Sequence, residues 1–208
     1  MNFIPKNIHQ NFLSPHHLMP KNFTDWSKSI QRLNPDHKYK LWSNEELSQE
    51  FPDLYNSNFF LKCNTHAERS CIVTLYILHK YGGIYMDLDC ESYKPFGDYF
   101  SNKSFSIAFC DMPQSHMIAS APNHPYLKKL IQALEERFLS HGNTTSEYKY
   151  GPHFLKDYLP NDLQASEKMP SELFVPYNYF EKDTIKIKDV PQLFPNAICA
   201  HHWVGSWL

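Results

Sequence analysis

AERSCIVTLYILHKYGGIYMDLD, residues 67–89, decides how this chain folds. Thr65-His66-Ala67-Glu68 reads as a capping box: a Thr hydroxyl and a Glu carboxylate each satisfy a free backbone amide, so a helix opens here. Ala67, Cys71, Leu75 and Leu78 then recur at helical spacing and form one apolar stripe, widened by Ile72 and Tyr76. Gly82 stands where a left-handed C-terminal cap belongs. Directly after it the period changes to two. Ile84, Met86 and Leu88 face one way, and Tyr85, Asp87 and Asp89 face the other. A long helix, a Gly-Gly turn and an apolar strand that ends on two carboxylates make an α/β unit.

Upstream, FIPKNIHQ (residues 3–10) reads as a short strand, kept to an early or edge position by Pro5. Trp26, Ile30 and Leu33 predict a helix over residues 24–33, stopped by Asn34-Pro35. His37 to Trp42 reads as a second strand, and Ser43-Asn44-Glu45-Glu46 as a capping box for a short helix reaching about Phe51. Downstream, Ser104 to Cys110 alternates like a strand with Phe105, Ile107 and Phe109 on one face. Pro125 to about Leu139 is an amphipathic helix. Residues 140–150 read as a polar loop, and Thr184 to Lys188 as an edge strand. Ala197 to Ala200 is a short apolar run leading into HHWVGSW, residues 201–207.

With 208 residues, the chain suits one well-filled domain. Hydrophobic residues are 42% and charged residues 20%, a globular mixture that excludes disorder as the main state. Lys and Arg number 20 against 22 acidic residues, with no basic run, so nucleic acid is not an expected partner. The five Cys are odd in number and contain no CxxC, which argues for reduced thiols rather than disulfides or a zinc site. MNFIPKNIHQ lacks the apolar core of a signal peptide, and no stretch approaches the ~20 apolar residues of a membrane span. The expectation is a soluble cytoplasmic protein of bacterial or viral type, without a transmembrane segment but compatible with peripheral membrane contact.

Three constellations carry chemistry. Asp87 and Asp89 place two carboxylates side by side at a strand end, where they repel unless a cation sits between them. Hard divalent ions such as Mn²⁺ or Mg²⁺ take such oxygen ligands and share them with phosphates. The bland alternative is a solvated turn after a strand. The second is the tail, where Trp203 and Trp207 either anchor the chain end or fold it over a site, bringing His201 or Ser206 to a metal or phosphate. The third is His9-Gln10 followed by Phe12, at the end of the first strand, where open α/β sheets bind ligands. An aromatic there either stacks on a base or fills the core.

These pieces, in this order, resemble the DxD-containing sugar-transfer enzymes of glycosyltransferase family 32. More distantly they are similar to the glucosyltransferase domains of clostridial toxins. The matching text is IPKNIHQ (4–10), LW (41–42), residues 67–89, APNHP (121–125), GP (151–152) and HHWVGSW (201–207). The resemblance implies an α/β fold of GT-A type. It would be a single domain over residues 1–208, with a Rossmann-like nucleotide-sugar-binding half (1–95) around a central mixed sheet. An acceptor half (96–208) would follow, its C-terminal tail closing over the site. It implies a UDP- or GDP-sugar donor, a glycan, lipid-linked sugar or other hydroxyl acceptor, Mn²⁺ or Mg²⁺, and retention of configuration. Asp87, Asp89 and His201 would hold the metal. His9, Gln10, Phe12, Trp42, Ser70, Tyr85, Asp87, Ser206 and Trp207 would border the donor, with Phe12 stacking on the base. No residue is assigned as a catalytic base.

Two departures bear on activity. Where the family reads Ser-Asp-x-x-Arg, this chain has Ser70-Cys71-Ile72-Val73-Thr74, so an Asp and an Arg are replaced by Cys71 and Thr74. Charge-assisted hydrogen bonds of this kind are worth about 1.5–3 kcal/mol each. The chain then uses a different donor sugar, or relies on other groups such as Glu68, Glu91 or Asp111, or is slow or inactive. The last outcome makes a nucleotide-sugar-binding protein without turnover the main alternative. A phosphatase of the haloacid-dehalogenase type also carries Asp-x-Asp after an apolar strand, but places it near the domain start. A glycoside hydrolase needs its carboxylates ~5 Å or more apart across a bond, which two residues on one strand do not supply.

Overall fold

The structure is a computed structural model that describes residues 2–14, 18–140 and 146–204. Its elements in chain order are β1 (Asn7–Phe12), α1 (Lys21–Leu33), β2 (Lys38–Ser43), α2 (Asn44–Glu50), α3 (Pro52–Tyr55), α4 (Asn58–Leu61) and α5 (His66–Tyr81). Then follow β3 (Gly83–Met86), β4 (Cys90–Ser92), β5 (Phe105–Cys110), β6 (Met112–Ser120), α6 (Pro125–Ser140), α7 (Ser146–Lys149) and α8 (Pro152–Tyr158). The last are β7 (Lys168–Met169), α9 (Ser171–Phe174), α10 (Val190–Leu193) and β8 (Cys199–His201).

Six strands form one mixed sheet in the order β2-β1-β3-β6-β5-β7. β1 runs parallel to both β2 and β3, and β6 runs antiparallel to β3 and β5. Each face of this sheet is covered, which is why β3 reads GIYM and is buried throughout. One face packs Tyr85, Phe105, Ile107 and Ile118 against Ile72, Leu75 and Leu78 of α5 and Leu127, Leu130 and Leu134 of α6. The opposite face packs Ile8, Ile84, Met86 and Met117 against Ile30 of α1 and Phe96, Phe100 and Phe174. Each such side chain, fully buried, contributes about 1.5–3 kcal/mol.

The predicted helix–turn–strand over residues 67–89 is present, with three differences. Thr65 caps α5, its hydroxyl accepting from the Glu68 amide at 3.1 Å, but the Glu68 carboxylate does not complete the box. It accepts instead from the Asn64 amide and from Lys149 Nζ, at 2.7 and 2.9 Å, and the Lys149–Glu68 pair is buried. Pairing satisfies the buried ammonium, and removing either partner of such a pair costs about 3–5 kcal/mol. Second, Gly82 has φ 61° but ψ −170°, so the helix ends without a left-handed αL cap. The two glycines are needed for room as well as for φ. A Cβ on Gly82 would lie 2.7 Å from Pro122 Cδ, and one on Gly83 2.6 Å from the Asn7 carbonyl oxygen. Third, the strand ends at Met86, so Asp87 and Asp89 leave the sheet on a turn and Leu88 does not face the core.

Elsewhere, Ser43 and Glu46 form the expected capping box of α2. Thr184 to Lys188 is not a strand. Thr184 N–H donates to the Glu181 carbonyl, Ile187–Asp189 is a 3₁₀ turn, and Ile185 packs beside Tyr177 and Val190. The alternation of Ile and Lys thus reflects one inward and several outward turn positions. Residues 146–149 form a short helix where a loop was expected, and residues 141–145 lie outside the described residues. No helix among the described residues is long and apolar enough to cross a membrane.

Candidate active site

The Asp87-Leu88-Asp89 turn emerges at the C-terminal end of β3, beside the end of parallel strand β1, where open α/β sheets place ligands. A cleft of about 110 Å³ opens there. Asn11, Phe12, Ser70, Tyr85, Asp87 and Asp89 line it, with Leu13, Ser14, Phe23, His66, Ala67 and Leu88. None of these lining residues is Lys or Arg.

The turn is held by its backbone. Asp87 N–H donates to the His116 carbonyl at 2.8 Å, and the Asp87 carbonyl accepts from Cys90 N–H and from Gln10 Nε2 at 3.1 and 2.9 Å. Gln10 is itself fixed, its Oε1 accepting from Ser27 and Tyr39. β4 then pairs antiparallel with β8, and Cys90 opposite His201 brings a residue from the chain end to the carboxylates.

Asp87, Asp89 and His201 are all buried and offer ligand atoms within 4.8 Å of one another. His201 Nε2 stands 2.9 Å from Asp89 Oδ1 and 4.0 Å from Asp87 Oδ2. Tyr85 Oη donates to Asp87 Oδ1 at 2.8 Å, and Val204 N–H donates to Asp89 Oδ2 at 3.1 Å. The His201 ring stacks on His116, 4.3 Å between centroids and 8° between planes, and meets the edge of Trp203 at 4.1 Å. Trp203 holds φ 54°, a backbone strain of about 1–3 kcal/mol in a bulky residue, and its Nε1 donates to the Tyr177 carbonyl.

The electrostatics of the cluster follow from burial. Burial, and then the neighbouring Asp89, raise the Asp87 carboxyl to about 7. Burial also opposes the charge on Asp89, but His201 and the Val204 amide outweigh it and hold that carboxyl below its ordinary range. Burial opposes a charged His201 too, yet the two carboxylates raise its pKa above the usual value. Burial and the adjacent His201 push His116 well below the ordinary histidine range, so of the stacked rings His201 is the one that takes a proton.

This donor set fits a divalent cation. Neither ring nitrogen of the buried His201 makes a well-aligned hydrogen bond, although one lies close to Asp89. A buried polar atom left so is costly unless something binds it. Two carboxylates and one imidazole are ligands that Mn²⁺ accepts, whereas Mg²⁺ favours oxygen alone.

The other expected site residues divide by place. Phe12, Ser70 and Tyr85 line the cleft with the carboxylates. Gln10 lies behind them and is wholly buried. His9 is also buried, its Nε2 against the Gly82 carbonyl and its Nδ1 accepting from Trp42 Nε1, and burial lowers its pKa to about 4. Trp42 packs in the core against Tyr81 and Phe51 and does not line the cleft. Ser206 and Trp207 lie outside the described residues. Of the two departures, Thr74 is buried and its hydroxyl bonds back to the Ser70 carbonyl, while Cys71 is half-buried beside the α5 core. Burial, and then Asp87, push the Cys71 thiol up to about 12. Neither brings charge to the cleft. Glu68 is bound to Lys149, Glu91 to His202 and Tyr93, and Asp111 is exposed, so none of the three lines the cleft. Asn11 and His116 were not anticipated. The available signal was a polar residue inside strands buried on both faces, where each must find partners.

The mixed six-stranded sheet with an acidic turn after β3 has the GT-A fold. Residues 20–106 match the family model described as glycosyltransferase sugar-binding region containing DXD motif, and the chain resembles that family. It is 30% identical over 159 residues to inositol phosphoceramide mannosyltransferase 3 of Schizosaccharomyces pombe, covering 73% of this chain and 44% of that one. It is 27% identical to mannosyl phosphorylinositol ceramide synthase SUR1 of Saccharomyces cerevisiae, over 64% of this chain and 35% of that one. Among solved structures, the PaToxG glycosyltransferase matches with a TM-score of 0.57 at 18% identity, over 78% of this chain and 71% of that one. The chain thus spans about a third to under half the length of these two curated relatives.

Proposed function

We propose that the chain is a metal-dependent glycosyltransferase that moves a sugar from a UDP- or GDP-sugar to a hydroxyl acceptor with retention of configuration. The observation that carries this reading is the convergence of Asp87, Asp89 and His201, with both carboxylates lining a cleft without Lys or Arg. A nucleoside diphosphate entering that cleft meets no fixed cationic side chain among the described lining residues. Its charge must be met by a divalent cation, preferably Mn²⁺, which when bound stabilises the negative charge that grows on the departing diphosphate.

The chain's own residues have separate tasks in this reading. Asp87, Asp89 and His201 hold the cation. Gln10 fixes the turn, and Val204 N–H orients Asp89. Phe12 stacks on the base, Ser70 and Tyr85 border the donor, and His9 and Trp42 support the strand ends behind it. Ser206 and Trp207 join the donor contacts on sequence alone. Residues 1–95 bind the donor and residues 96–208 the acceptor. A front-face path lets the departing phosphate take the acceptor proton, so no separate base is assigned. The names of the yeast relatives support an acceptor of the inositol phosphoceramide class, with glycan and other lipid-linked hydroxyls as the wider class. The five free cysteines support a reducing, cytoplasmic location.

A second reading is favoured by Cys71 and Thr74: a nucleotide-sugar-binding protein without turnover. Melting temperature with a panel of nucleoside diphosphates, with and without Mn²⁺, tests the site that both share. Ligand that binds only the folded state raises the melting temperature. The expected result is a rise with UDP or GDP only when Mn²⁺ is present. No rise with any nucleotide removes the donor-site assignment.

A further inference from the structure

Asn11, Ser70 and Tyr85 form a closed triangle of hydrogen-bonding groups against Asp87, and proton counting gives that triangle a direction. Ser70 Oγ donates to Asn11 Oδ1 at 2.8 Å. Asn11 Nδ2 donates to Tyr85 Oη at 3.3 Å. Tyr85 Oη donates to Asp87 Oδ1 at 2.8 Å, and also lies 3.0 Å from Ser70 Oγ. Each hydroxyl has one hydrogen. With the Ser70 hydrogen on Asn11 and one Asn11 amide hydrogen on the Tyr85 oxygen, the Tyr85 hydrogen is free for Asp87, its shortest acceptor, and the Asn11 amide nitrogen also reaches Thr74 Oγ1 at 3.5 Å. An amide is the side chain that can accept from Ser70 and donate to Tyr85 at once. All three residues are buried, and Tyr85 and Asn11 come together because β1 and β3 pair in parallel with His9 beside Tyr85.

We propose that Tyr85 and Asn11 are positioning residues for the cation site. Tyr85 holds Asp87 Oδ1, which leaves Oδ2 turned toward His201 and the cation, and Asn11 acts through the Tyr85 hydroxyl. This rests on the cation-site reading above. In a chain whose neighbouring Thr74 and Cys71 are uncharged, this neutral array orients the carboxylate. Groups that orient a metal ligand in this way commonly alter metal affinity about 10- to 100-fold when removed.

The test is the Mn²⁺ dissociation constant, read by electron paramagnetic resonance of the free ion, together with the melting temperature of each metal-free protein. The variants are Tyr85→Phe, Asn11→Ala and the double variant, beside wild type and Asp89→Ala. Tyr85→Phe keeps the buried ring and removes only the hydroxyl, so it reads the proposal even where Asn11→Ala fails to fold. The expected result is Mn²⁺ binding weakened about 10-fold in Tyr85→Phe, with the double variant no weaker than Tyr85→Phe. A melting temperature that falls while Mn²⁺ affinity stays within about twofold of wild type assigns the array a structural role only and overturns the proposal. Effects that multiply in the double variant overturn the claim that Asn11 acts through Tyr85. Wild type that binds no Mn²⁺ overturns the cation site itself, a result distinct from a wild type that binds and a Tyr85→Phe that binds equally well.

Discussion

Asp89→Ala abolishes Mn²⁺-dependent nucleotide binding and lowers sugar transfer by on the order of 10³-fold, the scale of losing a principal stabiliser of transition-state charge. Asp89 is the pivot of the cluster. Its Oδ1 faces His201, its Oδ2 accepts from Val204 N–H, and its carbonyl accepts from His202 N–H. Removing the carboxylate takes a ligand from the cation and leaves Asp87 to act beside a single imidazole. Asp89→Asn keeps the shape and one acceptor oxygen, so it separates loss of charge from loss of packing. Steady-state kinetics and Mn²⁺ titration of the two variants check this. Both should lose the metal dependence, and only Asp89→Ala should also lower the melting temperature appreciably.

Mn²⁺ affinity falls at least about 20-fold between pH 7.5 and pH 5.5, a figure set by an Asp87 carboxyl with a pKa of about 7. The sign follows from what the cation must displace. Asp87 is held above its ordinary range by burial and by Asp89, so in the metal-free protein it carries a proton through most of that interval. His201, raised by the same carboxylates, carries a second proton that the metal must also remove. Both protons compete with the cation, and both are absent at alkaline pH, so affinity rises with pH. Asp89, held low, stays ionised throughout and adds no slope. Mn²⁺ titrations at half-unit steps of pH measure this. A flat profile would mean that neither Asp87 nor His201 holds a competing proton in the metal-free protein over this range.

The parts of the fold that were legible in the chain are those where local pattern and tertiary burial agree. The α5 stripe, the position of the Gly-Gly turn and the apolar GIYM strand each obey a local rule, whereas the missing αL cap and the crowding by Pro122 and Asn7 appear only in the structure. Where tertiary partners overrode local rules, the reading failed. Glu68 matched a capping box but was claimed by Lys149, 81 residues away. β6 was overlooked because Pro113, Gln114, Ser115 and His116 interrupt its apolar run, although it is central in the sheet. The two carboxylates were legible because they are adjacent in sequence. Their closure by His201 depends on the β4–β8 register; the tail pattern gave it only as one of two alternatives, and the family resemblance selected it. The support from Asn11 depends on the β1–β3 register, which no local pattern reveals.

Sugar transfer by this cluster, rather than the holding of a nucleotide alone, is open to direct measurement. It is measured by incubating the protein with UDP- and GDP-linked sugars and Mn²⁺ and following released nucleoside diphosphate and free sugar. Water accepts the sugar slowly in the absence of the true acceptor, so no acceptor need be known. The expected result is release from one donor, absent with chelator and absent in Asp89→Ala. Mn²⁺-dependent binding of a nucleotide with no release from any donor, and none after adding inositol phosphoceramide acceptors, would contradict it.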